Sequence, residues 1–281
     1  MPSPLFENVL KPAYREFRAF RRASYFREMY YGAQLRAIYP LLRNTGEMSN
    51  FTYDLTDKNL RNMSEMIAVA TRMDAVEIER YIQEAIEDRS LRGWFVERMR
   101  TWTGAKTPSN LRSPFGRRLG WYAVVRAIKP SVLVETGVDR GHGALVLCAA
   151  LLRNAAEGRP GRYYGTDLEP EAGHLLGGEY ASVGQLLIGD SIQSLRQLNE
   201  TVDLFINDSD HSADYEAEEY RVIAPKLSPH AIILGDNAHA TDELARFSRE
   251  TGRRFLFFRE EPKAHWYPGG GIGVSFPKLG Q

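Results

Sequence analysis

The twelve residues Val132–Gly143, VLVETGVDRGHG, decide how the rest of the chain is read. Three β-branched or aliphatic residues run straight into Glu135-Thr136 and then into a turn with glycine at 137, 141 and 143. A continuous apolar run of this length fits a strand buried on both faces of a parallel sheet. Glycines at its mouth let the backbone approach a bound molecule closely. In open α/β sheets, ligands sit at the carboxyl ends of the strands, which is where this turn falls. The spacing is not G-x-G-x-x-G, which disfavours a nicotinamide or flavin pyrophosphate site.

Outward from this stretch, short apolar runs alternate with helical segments. Strands are expected at Val132–Val138, Arg162–Leu168, Gln185–Gly189, Val202–Asn207, Ala231–Gly235 and Arg254–Arg259. Helices are expected between them at Ala144–Arg153, Glu171–Tyr180, Ile192–Asn199, Ala213–Ala224 and Asp242–Thr251. This is the βαβ alternation of a doubly wound sheet. The last strand, Gly271–Phe276, follows Pro268-Gly269-Gly270 with no room for a crossover helix and must pair antiparallel. The expected fold is α/β: a mostly parallel, seven-stranded doubly wound sheet with a C-terminal antiparallel hairpin, preceded by an α-helical region.

The second strand ends in Gly165-Thr166-Asp167-Leu168-Glu169-Pro170. A carboxylate at that tip can accept two hydrogen bonds from a ribose diol, and Asp167 is the first choice with Glu169 in reserve. The third strand ends in Gly189-Asp190-Ser191, which can read an adenine edge or cap the following helix. These segments together resemble the class I S-adenosylmethionine (SAM)-dependent methyltransferases over roughly Val132 to Phe276. The resemblance implies a cofactor shell of Glu135, Gly137, Gly141, Asp167, Asp190 and Ser191. Related small-molecule O-methyltransferases often carry a serine where Gly143 stands, so the methionine carboxylate of SAM falls to Arg140 or to a backbone amide.

The fourth strand ends in Asn207-Asp208-Ser209-Asp210-His211 and the fifth in Gly235-Asp236-Asn237-Ala238-His239. Neighbouring strand ends bring Asp208, Asp236 and Asn237 to one rim, a hard-oxygen set suited to Mg²⁺. Such an ion would lower the pKa of a substrate hydroxyl, and His211 would take its proton. The competing reading is that Asp208, Ser209 and Asp210 only cap the helix that starts near Ala213. The pair of segments resembles the cation-dependent O-methyltransferases of the catechol and caffeoyl-coenzyme A type, with His211 in place of their lysine base. The D-S-D-H form and the long N-terminus look more like bacterial enzymes that methylate sugars of natural products or glycans. The expected activity is methyl transfer from SAM to a hydroxyl of a small molecule or sugar. A metal-independent enzyme using a His–Asp base and a SAM-binding protein without turnover are the alternatives. His239, the aromatic segment His265-Trp266-Tyr267 and a lid at Asn50–Asp54 are further candidates for the acceptor side.

The N-terminal third reads as helices. Pro12–Tyr39 is long, aromatic and basic, with Pro40 ending it. Leu60–Met73 follows, then a helix capped by Asp74 with Glu77 closing a capping box, restarting near Leu91. The stretch Thr103–Pro114 reads as a linker, which divides the chain into a helical extension over 1–112 (lid, oligomerisation or substrate binding) and a SAM-binding domain over 113–281. Lys plus Arg equals Asp plus Glu at 36 each, so no global field points to nucleic acid or a membrane. Locally, Arg15, Arg18, Arg21, Arg22 and Arg27 crowd together, as a solvated face or as a patch for an acidic substrate or membrane surface. The single cysteine, Cys148, excludes an intrachain disulfide. No run is apolar enough to span a bilayer, and the first residues lack the layout of a secretory signal, so the expected location is the cytoplasm. The apolar N-terminal helices require a cover, either the chain's own domain or a twin subunit in a homo-oligomer.

Overall fold

The computed structural model describes residues 10–43, 52–103, 111–113 and 115–278. Of these, 10–43 with 264–268 group into one compact unit, and the remainder into a second. Most of the expected linker Thr103–Pro114 lies outside the described residues, as do Asn50 and Phe51. No helix among the described residues is long and apolar enough to cross a membrane.

The first unit holds α1 (Lys11–Phe26), a π-turn over Arg27–Tyr31, and α2 (Gly32–Arg43). Pro40 was expected to end the helix, yet it stands inside α2. A proline removes one main-chain donor, and the helix carries on for a further three residues. In the same unit the rings of His265, Trp266 and Tyr267 pack on one another in sequence, with centroids 5.3 and 5.9 Å apart.

The second unit opens with α3 (Asp57–Thr71), α4 (Ala75–Glu87) and α5 (Arg89–Arg100), capped by Thr56, Asp74 and Asp88. Asp74 accepts from the Val76 amide at 2.8 Å, while Glu77 turns to Arg80 at 2.9 Å instead of back toward the cap. Then come α6 (Arg118–Ile128), β1 (Val132–Thr136), α7 (His142–Ala156), β2 (Arg162–Asp167), β3 (Gly184–Ile188), α8 (Ser191–Gln197), β4 (Val202–Asn207), α9 (Ala213–Ile223), β5 (Leu227–Gly235), α10 (Glu243–Glu250), β6 (Arg254–Arg259) and β7 (Gly271–Phe276). The expected helix Glu171–Tyr180 is absent. Gly173 and Gly178 sit at φ +74° and +55°, and with Gly177 between them the segment has too little helical preference to hold. Only a short 3-10 turn, Gly178–Ser182, forms there.

The seven strands form one sheet in the order β3-β2-β1-β4-β5-β7-β6. All neighbours are parallel except β7, which runs antiparallel to both β5 and β6. β1 is buried along its whole length, as its unbroken apolar run requires. One core beneath it joins Val134, Phe205, Ile233, Tyr220 and Leu244, with the Phe205 and Tyr220 rings edge to face at 6.3 Å.

The residue 112/113 boundary expected from the pattern falls inside this unit. Arg126 of α6, 1% exposed, explains why. Its guanidinium reaches Glu84 of α4 at 2.7 Å and Glu157 beyond α7 at 2.5 Å, and Tyr122 donates to the same Glu84 at 2.6 Å. A buried guanidinium must be paired in this way, and the pairing ties α4 to the layer that covers the sheet.

Candidate functional site

Register sets the site. Thr136 lies opposite both Thr166 and Asn207, and Asn207 lies opposite Gly235. The residues after these strand ends therefore converge on one rim. A cavity of about 500 Å³ opens there, lined by Gly137, Asp167, Asp190, Ser191, Asp208 and His211, with Tyr215 as a further wall. Among the expected cofactor residues, Glu135 and Gly141 do not line it.

Gly137 is required by its surroundings. It sits at φ +83°, and a Cβ there would overlap the carbonyl oxygen of Asp208. The backbone of the glycine turn next meets β2 through Asp167. The Asp139 amide donates to one Asp167 oxygen at 2.7 Å and the Glu169 amide to the other at 2.9 Å. A carboxylate held by two main-chain donors is fixed in place at the cavity it lines, and two donors leave it capacity to accept more. Asp190 takes the capping role of its two expected uses. One oxygen caps α8 by accepting the Gln193 amide at 2.8 Å, and the other accepts the Tyr215 hydroxyl at 3.0 Å at the cavity.

Glu135 turns away from the cavity and is 1% exposed. Tyr163 of β2 donates to it at 2.5 Å. Burial pushes its carboxyl up to about 7, against the pull of that hydrogen bond. Its other oxygen fills the space beside Gly143, where a Cβ would overlap it and come within 2.8 Å of the Trp121 ring. The absence of a serine at this turn thus has a steric cause. Gly143→Ala should destabilise the fold by roughly 1–3 kcal/mol through overpacking, read as a lower urea midpoint; an unshifted midpoint would mean that Glu135 moves aside freely. Arg140, the first candidate for the methionine carboxylate, is 9% exposed and lies over the Trp102 ring at 5.6 Å.

One organising residue was not anticipated. Glu219 of α9 is wholly buried beneath the strand ends. It accepts from Ser209 at 2.7 Å and Thr136 at 3.3 Å, and also from Ser191 and Asn207. Four donors, from β1, α8, β4 and the loop after β4, thus share one carboxylate, which locks the rim of the cavity together. Burial pushes Glu219 up to about 7, with the hydrogen bonds from Ser191, Ser209 and Thr136 pulling it back.

The pair expected to hold a metal is already partnered. Asp208 and Asp236 are hydrogen-bonded to each other. Arg117 reaches Asp236 at 2.8 Å and stands 3.8 Å from Glu260, which is 1% exposed. Arg118 stands 3.8 Å from Asp208 and over the Trp121 ring at 5.3 Å. Burial and the neighbouring Asp236 hold the Asp208 carboxyl well above the usual carboxylate range. Burial would raise Asp236 too, but the Arg117 guanidinium and the proton of Asp208 carry it below that range. Two guanidiniums therefore face Asp208, Asp236 and Glu260, and the cluster carries its own counter-ions. A hard dication needs several free oxygen ligands, and here a guanidinium takes the lone pair it would use. This arrangement does not fit a resident Mg²⁺. Among the described residues no three His, Cys, Asp or Glu side chains are grouped to hold an ion. The Asn237 side chain lies outside the described residues.

Asp210 accepts the Ser212 amide at 2.7 Å, an Asx turn just ahead of α9 rather than a cap of its first turn. His211 is exposed at the cavity mouth. His239 is tied to its own turn, 3.0 Å from the Asp236 carbonyl. Tyr53, in the expected lid, is 2% exposed, and its hydroxyl donates to Glu260. That residue is part of the floor beside Arg117, not a cover.

The sheet order with its antiparallel seventh strand, and the glycine turn at the head of β1, define a methyltransferase domain of the class I fold. Residues 134–238 match a family model described as a methyltransferase domain. No curated protein matches the sequence. Among solved structures, it is similar to the S-adenosylhomocysteine (SAH)-bound methyltransferase PaMTH1 of Podospora anserina, at 16% identity over 71% of this chain and 94% of that one, with a TM-score of 0.48. It is also similar to the SAM complex of the O-methyltransferase TomG of Streptomyces achromogenes, involved in tomaymycin synthesis, at 16% identity over 68% and 91% with a TM-score of 0.48. An O-methyltransferase of Bacillus cereus in complex with SAH aligns at 14% identity over 68% and 92%, with a TM-score of 0.45.

Proposed function

We propose that the protein methylates a hydroxyl oxygen of a small molecule or sugar with SAM as donor, and that it does so without a divalent cation. The observation that carries the reading is the cavity at the carboxyl ends of β1–β4, with the fixed Asp167 carboxylate at the tip of β2. SAM, when bound, supplies a methyl group on a positively charged sulfur. Asp167 accepts from the ribose hydroxyls, Asp190 and Ser191 face the adenine, and the main chain at Gly137 borders the methionine end. Gly141 and Glu135 support that turn from behind. The acceptor lies toward β4 and β5. His211 takes the hydroxyl proton as the oxygen bonds to the methyl carbon and the carbon–sulfur bond breaks, so SAH and protonated imidazole are left. Asp208 and Asp236, with Glu260 and the two arginines, form a polar wall that orients the acceptor, and alignment of oxygen with methyl carbon supplies much of the rate.

Calorimetric titration with SAH tests the donor site. The wild-type chain binds, and Asp167→Ala weakens binding on the order of 100- to 10,000-fold, since two charge-assisted hydrogen bonds at ~1.5–3 kcal/mol each are removed. A folded wild-type chain with no affinity for SAH would sink the reading. Turnover of a hydroxyl acceptor is the same in EDTA as in Mg²⁺; loss of turnover in EDTA would restore the cation at Asp208, Asp236 and Asn237.

A further inference from the structure

Residues 10–31 carry six cations, Lys11, Arg15, Arg18, Arg21, Arg22 and Arg27, against two carboxylates, Glu16 and Glu28, in a chain whose formal net charge is zero. No residue of α1 is buried. At helical spacing, Leu10, Tyr14, Phe17 and Phe20 fall on one face with Ala13 and Ser24. Tyr14, Phe17 and Phe20 are 60%, 56% and 70% exposed. Lys11, Arg15, Arg18 and Arg22 follow each other at steps of four, three and four, so they line one flank of that face. The π-turn continues the pattern with exposed Met29, Tyr30 and Tyr31. Of the two acids, Glu28 lies near both Arg27 and Arg36, at 3.7 and 3.6 Å.

We infer that α1 is a docking surface for an anionic lipid membrane, on which it lies flat with its aromatic face in the headgroup boundary. The helix is too polar to insert across a bilayer, and the combination of an aromatic face, a cationic flank and low net hydrophobicity is that of a helix lying in the interface. Tyrosine suits that depth because its ring is apolar and its hydroxyl remains wet. Charge selects this partner over a second copy of the chain. Two such helices face to face would bring six cations against six with two carboxylates on each side, whereas an anionic leaflet complements every one of them. The helix shares no residue with the cavity lining, and the inference stands whether or not SAH binds there.

The test is sedimentation of the full chain with vesicles. The chain pellets with mixed phosphatidylserine–phosphatidylcholine vesicles at low salt and is released as salt rises, because the attraction is screened. It does not pellet with pure phosphatidylcholine. R15Q/R18Q/R22Q weakens binding on the order of 100-fold, at roughly a factor of five per cation. F17S/F20S abolishes it. Both variants change exposed positions and keep the wild-type thermal midpoint. Equal pelleting with both vesicle types, or full binding by the triple glutamine variant, would overturn the inference. So would a wild-type dimer in solution that F17S/F20S dissociates and that does not pellet with vesicles, since the aromatic face would then belong to a twin subunit.

Discussion

Replacing His211 by glutamine lowers the rate of methyl transfer on the order of 100- to 10,000-fold, the range a positioned general base contributes, and leaves SAH affinity unchanged. Among the groups near the acceptor end of the cavity, the imidazole is suited to the task. Burial and the neighbouring Asp236 hold the Asp208 carboxyl well above the usual carboxylate range, and its hydrogen bond to Asp236 commits it to the cluster. Asp236 is ionised but tied to Arg117 at 2.8 Å, and taking a proton would cost it that pairing. His239 is turned to the carbonyl of Asp236. His211 alone of these lines the cavity with its ring unspent on structure, on a loop that Asp210 fixes by accepting the Ser212 amide. Single-turnover rates across pH provide the reading. The glutamine variant is slow at every pH at which the wild type turns over. A variant with the wild-type rate and profile would move deprotonation to water or to the acceptor itself. Glutamine is the informative replacement, because it retains a hydrogen-bonding side chain of similar reach and removes only the ability to hold the proton.

The parts of this site that were legible in the sequence are those made by a strand and the residues that follow it. Buried parallel strands have an unbroken apolar signature, so the ends of β1, β2, β4 and β5 were placed within a residue or two, and the register of a parallel sheet then brings Asp167, Asp190, Asp208 and Asp236 to one rim. What escaped was every group that reaches the rim from elsewhere in the chain. Arg117 meets Asp236 across 119 positions of sequence, and the helix it precedes was not expected, although Leu119–Val125 is apolar enough to have signalled one. Glu219 looks like any acid on an amphipathic helix. Its role follows from burial, because α9 carries Glu216 and Glu219 toward the sheet and Arg221 outward. Two acids on the same face as Tyr220, Val222 and Ile223 were the available signal. The carboxylate pair itself was read correctly as adjacent, but its chemistry was inferred from two carboxylates and an amide without their counter-ions. Oxygen ligands alone suggest a cation; the same oxygens beside two guanidiniums do not.

That difference makes Arg117 the residue whose loss is felt most in the fold. Arg117→Ala should cost about 3–5 kcal/mol at neutral pH, the range for removing one partner of a buried ion pair. Asp236, 7% exposed at its side chain, and Glu260 would both lose the Arg117 guanidinium, leaving Arg118 at 3.8 Å from Asp208. The dependence on pH has a definite sign. In the wild type Arg117 carries the Asp236 carboxyl below its ordinary range. That stabilisation is present above the ordinary carboxylate pKa and is lost as pH falls through the depressed value. In the variant burial raises Asp236 instead, so the deficit is widest at neutral pH and narrows on acidification as the carboxyl takes a proton. The same substitution also separates the two ways of neutralising this rim. Once the guanidinium is gone, Asp208 and Asp236 have free oxygens, and Mg²⁺ or Mn²⁺ should raise the urea midpoint of the variant while leaving the wild type unmoved, because an ion that binds only the folded state stabilises it. If the wild type gains as much from the ion as the variant, Arg117 is not standing in the cation's place, and the two aspartates are available to a metal after all. If neither gains, the arginine serves the fold and the acceptor wall alone, and the third oxygen that a cation needs is not within reach of this pair.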